Sequence, residues 1–334
     1  MRALVLLALL AIAPLARGAE YHVTTTGSGS ACTLGAPCAT IAAGLAVAGP
    51  NDVLWIHAGT YVEAINSDAT TITGGSSWAT RLIIAEWPGD TVVLRPAGGL
   101  EVVNLDSATA SYVEISGLAL DGVNVSNTVV KLTWIGVETN SSNHIRIRRC
   151  EIYNGFNGVL VSGVHATFNE FVSNHVHHNT RGGHGHGFYI SSSDNLLYDN
   201  EVDHHDESYG IHVYLGGSGT GVDRNRVLFN RTHHNGLGPT GGGGILISSG
   251  EDNEVRGNRN WSNDSGITIY GGDPPGHLNP AVDTIVADNY NWDNIHGAIL
   301  VAAEATGTIE TNNSTTQPGP AMSIKSGAAR GASW

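Results

Sequence analysis

Ten of the sixteen histidines in this 334-residue chain fall between His175 and His234. Imidazole is the side chain whose charge changes near neutral pH, so such a concentration suits proton transfer, metal ligation or both. One set mixes histidine with tyrosine and charged neighbours: Arg181, His184, His186, Tyr189, Asp206, Glu207, Tyr209, His212 and Tyr214. That mixture offers a base, an acid and a cation for proton abstraction and donation. The other set pairs histidine with aspartate and tryptophan: His177, His178, Asp203, His204, His233, His234, Trp261 and Trp292. Histidine and aspartate are also ligand types for a transition metal.

The elements that must carry these residues repeat. Asparagine opens N-H-V-H-H-N at Asn174, N-E-V-D-H-H at Asn200, N-R-T-H-H-N at Asn230, N-R-N-W-S-N at Asn258 and N-Y-N-W-D-N at Asn289. After each of the first four comes a loop and an apolar run led by glycine: Gly187, Gly210, Gly244 and Gly266. A two-strand unit recurring every 26 to 31 residues, with variable loops, predicts a solenoid. The composition agrees, with 44 glycines and only 14% charged residues. Glycine and asparagine serve turns, and few surfaces here need charge pairs.

Equivalent strands recur in register, so they stack in parallel, about 4.8 Å apart, and place each slot in a column. The first outward column of the glycine-led strand then reads Lys131, Leu160, Tyr189, His212, Leu246, Thr268. The second reads Thr133, Ser162, Ser191, Tyr214, Ser248, Tyr270. Tyr189, His212 and Tyr214 form one patch, with Tyr270 two rungs from Tyr214. Large aromatics on an exposed strand face serve contact with a ligand. The asparagine-led strand presents Tyr153, His177, Asp203, His233, Trp261 and Trp292. His177, Asp203 and His233 have metal-ligand chemistry, but rung spacing alone does not make them converge, and no metal site is assigned. The five leading asparagines stack at a turn and bond to one another, while Cys150 takes the same slot one coil earlier as a packing residue. The loops Gly236–Gly244 and Gly271–Pro280 border the glycine-led face as walls of a groove, with Asp273 and His277 within reach of it.

Bulk numbers exclude other classes. The net charge is −14 and there are only two lysines, Lys131 and Lys325, so no cluster could neutralise nucleic-acid phosphates. Residues 1–18, M-R-A-L-V-L-L-A-L-L-A-I-A-P-L-A-R-G, read as a secretory signal cleaved near Gly18, too short to span a bilayer comfortably. Residues 19–334 are then one exported domain, secreted or periplasmic, with no membrane span. Cys32 and Cys38 flank a Gly-Ala-Pro turn, and in an exported chain they predict a local disulfide.

Residues Tyr21 to Glu63 carry Y-H-V-T-T-T-G-S-G-S, then P-C-A-T-I-A-A-G-L-A-V-A, then V-L-W-I-H-A-G-T-Y-V-E. This resembles the opening of secreted right-handed parallel β-helix proteins. Ile41, Leu45 and Val47 give its short helix an apolar face. Together with the stacked asparagines, the chain resembles the pectate-lyase-like superfamily. The expected fold is therefore all-β: a single-stranded right-handed parallel β-helix with a short N-terminal capping helix. The resemblance implies activity on an acidic polysaccharide, first as a lyase that cleaves a uronic-acid polymer by β-elimination. His212, His184 or His186 would be the base, Tyr189 or Tyr214 the acid, and Arg181 the neutraliser. Tyr209, Tyr270, Asp206, Glu207, Lys131 and His277 would bind substrate. The resemblance also admits calcium, although the Lys/Arg catalytic pattern of those lyases is not reproduced. Two other readings stay open. Asp203-His204-His205-Asp206 is similar to the Asp-Pro-His-Asp/Glu stretch of alginate C5-epimerases. The chain is otherwise a non-catalytic carbohydrate-binding or structural solenoid. A glycoside hydrolase ranks third: Gly183-His184-Gly185 and Gly185-His186-Gly187 match the Gly-His-Gly of polygalacturonases, but their carboxylate motifs are missing. A monomer is expected.

Overall fold

A computed structural model describes residues 18–133, 143–180, 185–215, 221–271 and 280–318, apart from the side chains of Ala108 and Thr133. The signal-peptide stretch up to Arg17, Arg181, His184, the 272–279 loop with Asp273 and His277, and Lys325 lie outside the described residues.

Short parallel strands wind into three long sheets of eleven, nine and nine strands. Each regular coil contributes three strands rather than two, as in His175–His177, Phe188–Ser191 and Leu196–Tyr198. The additional strands are only three or four residues long in the regular coils, with one or two inward apolar residues such as Phe171, Leu197, Val227 or Val255. A run that short gives little period-2 pattern to read. Its signal was the leading asparagine, because Asn169, Asn195, Asn225 and Asn253 precede these strands.

Asparagine ladders therefore occupy three corners. In the ladder read from the sequence, Nδ2 of Asn174, Asn200, Asn230, Asn258 and Asn289 donates to Oδ1 of the next rung at 2.9–3.1 Å. Each amide also donates to a strand carbonyl below, such as Asn230 Nδ2 to Leu197 O at 3.0 Å. A buried polar ladder is tolerated because every donor and acceptor in it finds a partner. Cys150 is buried at the end of this ladder, its backbone N–H donating to Asn174 Oδ1 at 3.0 Å. In the second ladder, where Asn179, His205 and Asn235 stack, the residue before each rung is left-handed: His178, His204 and His234 have φ between 52° and 55°. They are corner residues rather than members of the flat outward columns.

Stacked Val, Ile, Leu and Phe fill the interior. At the N-terminal end, the helix Ile41–Leu45 starts on Thr40, whose hydroxyl accepts from Ala43 N at 3.1 Å. Ile41 and Leu45 are buried, but Val47 is exposed because the helix stops two residues short of it. Cys32 and Cys38 form the expected disulfide.

Candidate functional site

The register of the glycine-led sheet is the one read from the sequence. Lys131 pairs with Leu160, Leu160 with Tyr189, Tyr189 with His212, His212 with Leu246 and Leu246 with Thr268. One boundary differs: the strand begins at Tyr209, ahead of the glycine, so Tyr209 is a strand residue opposite Gly243. The face is also less open than a bare sheet. His186 and Leu246 are buried, and Tyr189, Tyr209, His212 and Tyr214 are half-buried.

These side chains meet around His212. Its ring lies 4.6 Å from His186, 5.3 Å from Tyr189, 5.6 Å from Tyr209 and 5.2 Å from Tyr214 between centroids. Tyr189 and Tyr214 are 6.0 Å apart. Enclosure by these rings pushes the His212 pKa down to about 3, so the imidazole is neutral at ordinary pH. Burial, then the charges of Asp264 and Tyr270, push the Tyr209 phenol up.

One proton assignment satisfies the contacts among Ser208, His186, His212 and Ser248. Ser248 Oγ donates to the Val213 carbonyl at 3.2 Å, so it accepts from His212 Nε2 at 3.1 Å. The His212 Nδ1 lone pair then receives the Nε2–H of His186 at 3.3 Å, and His186 Nδ1 accepts from Ser208 Oγ at 2.8 Å. A backbone carbonyl, which can only accept, thus fixes the tautomer of both histidines. Ser208 was not singled out in the sequence, although it sits between two residues that were.

The loop from Gly236 walls this cluster. Thr240 Oγ1 donates to Glu207 Oε2 at 2.7 Å, and Gly238 N donates to the Asp206 carbonyl. Asp206 itself is exposed, as is Tyr270. Gly236 and Gly241, both at φ 72°, need the left-handed region that glycine adopts freely.

Lys131 lies two rungs from Tyr189, about 10 Å away. Its Nζ is 3.6 Å from Glu101 Oε1, in a carboxylate group that the sequence reading missed. Asp68 and Asp106 are hydrogen-bonded to each other, and Asn104 Nδ2 donates to Asp68 Oδ2 at 3.0 Å. Burial, then the Asp106 charge, pushes the Asp68 carboxyl up, so this pair holds a proton more readily than free carboxylates. Asn66-Ser67-Asp68 and Asn104-Leu105-Asp106 repeat Asn-x-Asp in register, a signal the sequence does carry. Asn104 Oδ1 is buried and makes no hydrogen bond, while the Lys131 ammonium already supplies positive charge beside Glu101 Oε1, so the oxygens of Asp68, Asn104 and Asp106 are the ones that fit a hard cation such as calcium.

The asparagine-led face is organised differently. His177, Asp203 and His233 do not converge: Asp203 turns to His175 Nε2 at 2.7 Å and to His204, and His233 Nε2 to Glu201 at 3.2 Å. His205, part of the epimerase-like stretch, is buried in the second ladder, accepting from Asn179 and bonded to Asn235 Oδ1 at 2.9 Å. Tyr153, His177 and His233, Trp261, Trp292 stack as flat columns, the two tryptophans 5.1 Å apart at 7°.

Residues 71–227 match the family model described as a right handed beta helix region. No curated protein matches the sequence. Among solved structures, the pectate lyase Pel9A is 12% identical with a TM-score of 0.55, over 90% of this chain and 80% of that one. A structure of XylC with xylose is 13% identical at 0.52, over 88% and 69%. The alginate lyase from Paenibacillus sp. str. FPU-7 is 14% identical at 0.50, over 89% and 98%. With its three parallel sheets, corner ladders and matched coils, the chain is a right-handed parallel β-helix protein of pectate-lyase-like fold.

Proposed function

We propose that this protein acts outside the cell on an acidic polysaccharide, as a lyase that cleaves a uronic-acid polymer by β-elimination. The observation that carries this reading is the enclosed cluster of His186, Tyr189, His212 and Tyr214 on the glycine-led face. A lyase removes the proton beside the carboxylate, steadies the enolate and protonates the departing 4-oxygen. His212 presents Nδ1 at the centre of the cluster, where the contact from His186 is long at 3.3 Å. Tyr189 or Tyr214, on either side of the ring, is the acid. Lys131, about two rungs away, would hold the carboxylate of a neighbouring sugar. Arg181 and His184 keep the neutraliser and alternative-base roles, and His277 a place on the loop wall. Calcium, if bound, would be held by Asp68, Asn104 and Asp106 and would supply positive charge to the acidic polymer.

The disulfide suits an oxidising compartment, and no helix among the described residues is long and apolar enough to cross a membrane. Pectate and alginate lyases share the fold. The hydrolase reading gains nothing, because Asp68 and Asp106 bond directly, whereas glycosidase carboxyls stand roughly 5–9.5 Å apart. The epimerase stretch is occupied by scaffold contacts of Asp203 and His205.

The test is a screen of alginate, pectate and glycosaminoglycans, with and without calcium, following absorbance from the new C4–C5 double bond. A rise that disappears in His212→Ala supports the reading. Retained polymer binding with no unsaturated product on any polyuronate would replace it with a binding module.

A further inference from the structure

We propose that Glu151, His175 and His177 form a binding site for one divalent transition-metal ion of the zinc class, on the outer face of the asparagine-led sheet. One ligand atom from each of the three lies within 4.8 Å of the other two. Parallel register makes this local: Glu151 stands opposite His175 on the neighbouring strand, and His177 follows two residues on, so all three share one face. His177 Nε2 is 3.1 Å from Glu151 Oε1. Tetrahedral zinc with bonds near 2.0–2.1 Å sets its ligand atoms about 3.4 Å apart, so the exposed Glu151 and His175 need only small torsional changes to close on an ion beside the half-buried His177. Two imidazoles and one carboxylate favour zinc, nickel, cobalt or copper over calcium or magnesium.

A second layer already orients the ligands. Asp203 Oδ1 lies 2.7 Å from His175 Nε2, and the same carboxylate holds His204. His178 Nδ1 lies 2.8 Å from His177 Nδ1 and leaves Nε2 of that ring facing Glu151. Carboxylates and rings behind ligand histidines fix their planes and raise their basicity.

The chain also contains its own control. Two rungs along, Glu201 Oε1 and His233 Nε2 are 3.2 Å apart, and His234 Nδ1 backs His233 at 2.9 Å. That copy has Arg231 where the first has His175, and Arg231 reaches Asp199 and Glu201 instead. A guanidinium is never a ligand and repels a cation. The geometry therefore assigns one site and not two.

The test titrates tag-free full-length protein with Zn2+ by calorimetry and with Co2+ by visible absorption. One equivalent should bind. His175→Arg, which copies the second constellation into the first, and His177→Ala should each weaken that binding at least tenfold without changing the circular dichroism. His233→Ala should leave it unchanged. Absence of saturable binding, wild-type binding by His175→Arg, or loss of binding in His233→Ala would each overturn the assignment.

Discussion

The glycine-led and asparagine-led faces draw on the same side chains and put them to different uses. On the first, His186 and His212 are walled in by tyrosines and bonded to serine hydroxyls, so both rings are donors and acceptors in one oriented chain. On the second, His175, His204 and His233 are paired with carboxylates. The hydrogen bond to Asp203 raises the His175 pKa against the effect of burial. Burial opposes ionisation of Asp203, yet the bonds from His175 and His204 outweigh it and hold its carboxyl well below the usual range. A histidine's partner and its exposure, rather than its position in a repeat, decide whether it moves protons, ligates or merely packs.

The comparison is broken most directly at His212. His212→Ala should lower polyuronate cleavage by about 10²–10⁴-fold, the usual worth of a general base, while His233→Ala leaves the rate unchanged. Equal losses in both would remove the distinction between the faces. Within the scaffold the largest effect falls on the ladders. Asn230→Ala takes the acceptor from the backbone N–H and one side-chain N–H of Asn200 and a donor from the Leu197 carbonyl, so chemical denaturation should show a loss of roughly 3 kcal/mol.

His205 sharpens the comparison through pH. Burial holds its pKa at about 3, below its unfolded value of 6.5, so the unfolded chain binds the extra proton. Its contribution is complete above pH 6.5 and is lost as pH falls from there towards 3. His205→Asn restores the ladder residue and removes that liability; the acid-unfolding midpoint should move to lower pH, by on the order of 2–3 kcal/mol at pH 4. A midpoint unchanged or raised would mean that His205 is not the buried neutral rung described. The smallest effect belongs to the aromatic column. Trp292→Ala loses a stack on Trp261 and should change stability by only about 1 kcal/mol, with polymer affinity unaltered.

Much of this was legible beforehand. The asparagine and glycine periods gave the parallel stacking, and the columns Leu160–Tyr189–His212–Leu246 and Tyr153–His177–Asp203–His233 follow from counting alone. The third strand escaped because three residues leave too little alternation to read. The Asp68–Asp106 pair escaped because its Asn-x-Asp repeat lies in irregular early coils.

Sequence by itself determined which residues share a column, because parallel pairing converts equal position in the repeat into a fixed spacing of about 4.8 Å. Only the tertiary structure decided what each column residue faces. Side-chain rotation at a strand or a left-handed corner spans several ångströms, enough to aim Asp203 at His175 rather than at His177 and His233, and enough for Ser208 and Ser248 to bracket the two imidazoles of His186 and His212.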